Sequence, residues 1–135
     1  MKIEHLAIWT YKLETLKEYY CQYFGGISNN KYINEKKQFQ SYFISFETGA
    51  RLELMTRTDI IDQPKSSSEP MQTGYTHFAF GVDTMEEVDI KASELEAHGF
   101  QILSGPRVTG DGYYEFETMD PDGNRIEVAT GNLKQ

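Results

Sequence analysis

One pattern is written twice in this chain, and it constrains the fold more than any other feature. Residues 2–10 and residues 75–82 each alternate with the two-residue period of a strand. Each carries a histidine followed two positions later by an alanine: His5 with Ala7, His77 with Ala79. Further on, two strand-like segments each carry a glutamate two positions after an arginine: Arg51 with Glu53, Arg125 with Glu127. His5 precedes Glu53 by 48 residues and His77 precedes Glu127 by 50; the histidines repeat at 72 and the glutamates at 74. Matched polar residues at a near-constant period imply an internal duplication.

The intervening segments fall in the same order in both halves. Residues 13–24 set Leu13, Leu16, Tyr20, Tyr23 and Phe24 at helical steps, and Gly25-Gly26 supplies a left-handed stop. Residues 27–35, a weak and polar stretch, then 39–47 and 50–57, read as strands. Residues 58–74 hold Pro64, Pro70 and Ser66-Ser67-Ser68 and read as a linker. A second helix opens near 83–87, with Asp83 and Glu86 or Thr84 and Glu87 as a capping box; Met85, Val88, Ala92 and Leu95 form its apolar stripe and Gly99 ends it. Residues 100–109, interrupted by Gly105-Pro106, then 113–119 and 125–130, are strands, with residues 120–124 as a tight turn. The expected fold class is α+β. Two tandem βαβββ modules, 1–57 and 75–135, are joined by the linker 58–74 into one domain whose curved mixed sheet surrounds a concave cleft.

In each half, helix and sheet must bury their apolar faces against each other. The helix therefore covers Leu6, Ile8, Leu52 and Leu54 in the first half, and Phe78, Phe80, Ile126 and Val128 in the second. His5 and Glu53, like His77 and Glu127, then share the opposite face. Brought together by pseudo-symmetry, two imidazoles and two carboxylates suit Zn²⁺, Ni²⁺, Co²⁺, Fe²⁺ or Mn²⁺. A donor set without thiolates, with positions left open for water or substrate, belongs to a catalytic rather than a structural site. Carboxylates buried without a cation would cost on the order of 3 kcal/mol or more each. The competing reading pairs Glu53 with Arg51 and Glu127 with Arg125 as solvated strand residues.

Other residues carry two readings. Trp9 lies on the His5 face and either lines a substrate pocket or packs the strand end. Tyr113, Tyr114 and Phe116 either line that pocket or pack core and edge. Arg107 reads as a solvated surface residue, His98 as structural at a helix end where a cation is favoured, and Cys21 as an inert helix residue.

Lys and Arg number 13 against 21 Asp and Glu, for a net charge of −8. That balance argues against nucleic acid or an anionic membrane as partner. The single cysteine, Cys21, has no intrachain disulfide partner, which fits a reducing compartment. No apolar run approaches membrane-spanning length, and residues 1–5 enter a strand pattern at once, unlike a signal peptide. The expected location is the cytoplasm.

Several segments resemble the vicinal oxygen chelate superfamily (glyoxalase, bleomycin resistance, dioxygenase), and within it glyoxalase I, the lactoylglutathione lyase. Ile3-Glu4-His5-Leu6-Ala7-Ile8 looks like its opening ligand strand, and Tyr19-Tyr20 with Phe24-Gly25 is similar to its helix ending. Arg51-Leu52-Glu53-Leu54 and Tyr75-Thr76-His77-Phe78-Ala79-Phe80 look like its second and third ligand strands. The run from Asp120 to Glu127 resembles its most recognisable turn and ligand segment. The resemblance implies that His5, Glu53, His77 and Glu127 bind one divalent metal ion, Zn, Ni or Co first, whose octahedron water completes. It implies a lyase or isomerase in which the metal polarises a substrate carbonyl, a carboxylate removes the adjacent proton to give an enediolate, and the proton returns to the neighbouring carbon. Glu127 is the first candidate base and Glu53 its pseudo-symmetric partner. The substrate is a small carbonyl compound, such as a hemithioacetal of methylglyoxal, and the assembly a homodimer. Three departures bear on the thiol co-substrate: Trp9 stands where glyoxalase I has an arginine for the glutathione carboxylate, Lys12 where the helix start usually has aspartate, and the segment 27–38 is unusually polar and Lys-rich. The same fold also hosts metal-free drug-sequestering proteins and iron-dependent ring-cleaving dioxygenases, the alternative functions.

Overall fold

Two parallel pairings organise the structure, a computed structural model that describes residues 1–63 and 71–134. The chain divides into two units, Met1–Pro64 and Lys65–Gln135. In the first, β1 (His5–Trp9) leads into α1 (Leu13–Phe24), followed by β2 (Ile27–Ser28), β3 (Tyr32–Asn34), β4 (Phe39–Ser45) and β5 (Arg51–Arg57). Its sheet runs β1-β5-β4-β2, with β3 also paired to β4, and β1 lies parallel to β5. The second unit repeats the plan with β6 (His77–Gly81), α2 (Met85–Ala97), β7 (Ile102–Val108), β8 (Tyr114–Met119) and β9 (Arg125–Thr130). Its sheet runs β6-β9-β8-β7, with β6 parallel to β9. Two open mixed sheets, each backed by one helix, make the α+β fold class expected from the sequence.

The period of each element decides what it buries. α1 turns Leu13, Leu16, Tyr19, Tyr20 and Tyr23 inward, and its sheet answers with Tyr42, Ile44, Leu52 and Leu54. α2 turns Val88, Ala92 and Leu95 onto Phe116, Ile126 and Val128. Burying a side chain of this size is worth roughly 1.5–3 kcal/mol, so these facing rows fix which side of each sheet is core. The residues between them in β1, β5, β6 and β9 are thereby committed to the other side.

The ends follow local chemistry. Gly25 adopts the left-handed conformation (φ 66°) that closes α1, its N–H bonding the Tyr20 carbonyl. α2 settles the choice of capping box: the Thr84 hydroxyl accepts from the Glu87 N–H at 3.2 Å, and Glu87 reaches back to the Thr84 N–H at 2.9 Å.

Some expectations are revised. The predicted strand 27–35 is two short strands, because the Asn29 side chain accepts the Phe43 N–H at 2.8 Å and occupies the ladder between them. β1 begins at His5 rather than residue 2, and Ile3 is exposed. β7 continues through Gly105-Pro106, with register shifts against β8. Gly105 (φ 83°) lies against the Glu115 carbonyl and 3.0 Å from the Phe116 Cα, measured from where a Cβ would stand, so no side chain fits there. Residues 64–70 of the predicted linker, with Pro64, Pro70 and the serine run, lie outside the described residues. Among the described residues, no helix is long and apolar enough to cross a membrane.

Candidate functional site

In each unit the parallel register sets the ligand candidates side by side. His5 aligns with Arg51 and Ala7 with Glu53; His77 aligns with Arg125 and Ala79 with Glu127. Each glutamate thus stands one strand over and two residues along from its histidine, with alanine's small side chain beside it. His5 Nε2 is 3.5 Å from Glu53 Oε2, and His77 Nε2 is 3.1 Å from Glu127 Oε2. The carboxylates are largely covered, at 17% and 16% side-chain exposure, while the imidazoles remain partly open at 41% and 35%.

The arginines that the competing reading pairs with these glutamates have other acidic partners. Arg51 turns to Glu4, its Nε donating at 2.8 Å, and Arg125 ion-pairs with Glu117 across β8 and β9.

The surroundings of the two pairs differ. Glu4 bonds His5 Nδ1 as well as Arg51, and these partners, His5 first, hold its carboxyl below the usual range. Arg51 stacks 4.1 Å over the Phe43 ring, which meets His5 edge-on at 5.5 Å. At the other histidine, the Thr76 hydroxyl lies 3.1 Å from His77 Nδ1. Glu127 is flanked by carboxylates: Glu117 is its neighbour on β8, and Glu115 lies two residues back on the same strand. Burial above all, then repulsion from Glu115 and Glu117, pushes the Glu127 carboxyl up, against the opposing pull of His77 and Arg107.

The remaining candidates separate. Trp9 is 45% exposed on the His5 face, edge-on to Phe39 at 6.0 Å with the Arg57 guanidinium 6.0 Å from its ring. Tyr113 is exposed at the start of the β8 hairpin. Tyr114 instead donates to Asp89 of α2 at 2.7 Å, and Phe116 is fully buried in the core beneath that helix. Both lie on the face opposite Glu127, because alternate residues of β8 point to opposite sides. Among the expected pocket residues, these two therefore pack against the helix. Sequence reasoning gave no role to Glu4, Thr76, Phe43 or Glu117. The signal available for the first two was their position, immediately before each repeated histidine.

The donor chemistry fits a divalent metal. A carboxylate and a neutral imidazole bound at about 2.1 Å to one ion stand roughly 3.0 Å apart in an octahedron and roughly 3.4 Å in a tetrahedron, close to both observed separations. Covered carboxylates facing imidazole nitrogens are also groups that a cation would stabilise. Each unit supplies one such pair; among the described residues, no group of three or more His, Cys, Asp or Glu is gathered for a metal.

Over 72 residues the chain is 31% identical to glutathione transferase FosA of Serratia marcescens, a match covering 53% of this chain; it spans about half, 48%, of that curated relative's length. Among solved structures, the trypanothione-dependent glyoxalase I of Leishmania major superposes with a TM-score of 0.74 at 19% identity, covering 97% of this chain and 87% of that one. The lactoylglutathione lyase of Agrobacterium tumefaciens superposes with a TM-score of 0.69 at 23% identity, covering 96% and 92%. At such identities the structural likeness shows a shared fold. The family model described as Glyoxalase/Bleomycin resistance protein/Dioxygenase superfamily matches residues 2–128, nearly the whole chain, and the chain belongs to that superfamily.

Proposed function

We propose that the chain is a metal-dependent lyase or isomerase of the glyoxalase I type, acting on a small carbonyl substrate as a homodimer. His5, Glu53, His77 and Glu127 are the residues that would hold one divalent ion, Zn, Ni or Co. The observation that carries the reading is the repeated His–Glu pair at 3.5 and 3.1 Å with a covered carboxylate in each. When bound, the ion supplies Lewis acidity toward a substrate carbonyl.

The protein's own groups divide the remaining work. Glu127 is the base: burial and its acidic neighbours raise its proton affinity toward that of a useful proton acceptor. It takes the proton from the carbon beside the carbonyl and returns it to the neighbouring carbon. Glu53, in a setting of aromatic rings where the one nearby carboxylate, Glu4, is paired with Arg51, is assigned to binding before proton transfer. Trp9 and Tyr113, both exposed, are the candidates left to contact substrate.

A second reading, attack of a glutathione thiol on an electrophile, is favoured by the 31% match to a glutathione transferase. Trp9 and Lys12, at positions where the resemblance expects arginine and aspartate, weigh against glutathione in either reaction. The deciding test is metal analysis of protein purified without chelator. Turnover of the methylglyoxal–glutathione hemithioacetal, with and without EDTA and added metal, completes it. Bound metal and EDTA-sensitive isomerisation are expected. Thiol addition without isomerisation would favour the transferase, oxygen uptake with catechols under Fe²⁺ a dioxygenase, and tight binding without turnover or metal a sequestering protein.

A further inference from the structure

Both histidines face the same way. Each turns Nε2 to its own unit's glutamate and Nδ1 to the residue just before it in the chain, but that residue differs. At His5 it is Glu4, a carboxylate. At His77 it is Thr76, a hydroxyl 3.1 Å away. Glu4 is itself held in place: Arg51 Nε donates to its carboxylate at 2.8 Å, and the Arg51 backbone N–H donates to its carbonyl at 3.0 Å. The His5 ring is steadied from another side by Phe43, edge-on at 5.5 Å.

The chemistry of the two partners is not equivalent. An ionised carboxylate only accepts hydrogen bonds, and glutamate, with an ordinary pKa of about 4.3, is ionised at neutral pH. Of the two carboxylates that flank the His5 ring, Glu4 makes the closer contact, a hydrogen bond, while Glu53 stands 3.5 Å from Nε2, so a neutral imidazole places its proton on Nδ1 and leaves the lone pair on Nε2. A hydroxyl both donates and accepts, so it satisfies either tautomer. Nε2 of His77 can then carry the proton, facing Glu127 3.1 Å away.

We propose that Glu4 is a positioning residue that locks His5 in its Nδ1–H tautomer, presenting Nε2 as a ready metal donor, while Thr76 leaves the tautomer of His77 open. The consequence for metal affinity rests on the metal reading above; the tautomer is a property of the metal-free chain and stands apart from it.

The test uses the full chain, metal-free and labelled with ¹⁵N, at mildly alkaline pH, with long-range ¹H–¹⁵N spectra assigned through single-histidine variants. The wild type is expected to show His5 as the Nδ1–H form. Glu4→Gln is expected to give a mixture, because an amide both donates and accepts. Titration with Zn²⁺ against a chromophoric chelator is expected to show affinity lower by about tenfold in Glu4→Gln and by less in Thr76→Val. Glu4 is exposed, so its substitution leaves the core intact. A His5 tautomer unchanged in Glu4→Gln overturns the proposal, whatever zinc does. A shifted tautomer in a chain that binds no Zn²⁺ supports the proposal and overturns the metal reading instead.

Discussion

The two units share a skeleton and differ in what surrounds it. Both run a histidine strand parallel to a glutamate strand, in the same register, with alanine beside each carboxylate. Around His5 and Glu53 lie Phe43, Trp9 and Phe39, with Arg51 paired to Glu4, so the setting is aromatic and its charges are matched. Around His77 and Glu127 it carries Glu115 and Glu117, offset by Arg107 and Arg125. The register is hard to change after a duplication, since a one-residue slip would turn every core residue of β5 or β9 to the other face. The neighbours on the open face are under no such constraint. They are the positions at which two copies of one His–Glu pair can take different tasks.

The sharpest way to break this comparison is to remove each carboxylate's charge in turn. At saturating metal and substrate, Glu127→Gln is expected to lower kcat by about a thousandfold, within the usual range for a general base. Glu53→Gln is expected to act mainly by weakening metal binding, about tenfold or more, with kcat largely recovered when metal is raised. Steady-state kinetics across a metal titration separates the two. Equal losses in kcat would mean that the acidic surroundings of Glu127 do not distinguish it.

The shared skeleton makes the opposite prediction for the core. Leu54 and Ile126 are each fully buried on the helix-facing side of their sheets. Leu54→Ala and Ile126→Ala should each cost about 3 kcal/mol in denaturant unfolding, with neither unit sparing the other's loss. A smaller asymmetry lies at the helix starts: α2 has a complete capping box, whereas α1 has no side-chain cap bond at Lys12. Thr84→Ala should cost about 1 kcal/mol, and Lys12→Ala much less. Chemical denaturation of both variants checks this.

How much of this was legible in the sequence depends on the range of the interaction involved. The helices, the paired strands and the ligand candidates follow from periodicity and repetition, which each segment carries by itself. Phe116 and Tyr114 were ambiguous because a strand's two faces read alike until a helix is placed on one of them; Asp89 of α2, bonded to Tyr114, decides it. The break of the strand 27–35 depends on Asn29 reaching Phe43, a contact fourteen residues away that composition does not announce. The partners of the arginines were also hidden. Arg51 and Arg125 occupy matched positions, yet one finds a residue before its histidine and the other a residue on the next strand.

The mildest expected effect tests the electrostatics directly. The folded Glu127 carboxyl sits above its ordinary value because of burial and then of Glu115 and Glu117. A carboxyl raised in the folded state binds its proton more tightly there than in the unfolded chain. Ionising it therefore costs stability: the cost is absent well below the unfolded value of about 4.3, grows as pH rises toward the raised folded value, and is constant above it. In metal-free protein, Glu127→Gln removes the charge and should be slightly more stable than wild type at neutral pH, with the difference fading on acidification below about pH 4. Thermal unfolding over a pH series measures it. Glu117→Gln takes away one of the repelling charges and leaves Arg125 without that partner, so it should shrink the same difference. A gain that persists unchanged at low pH would instead trace the effect to packing around the side chain, and the acidic setting of the second unit would lose its claim to tune the proposed base.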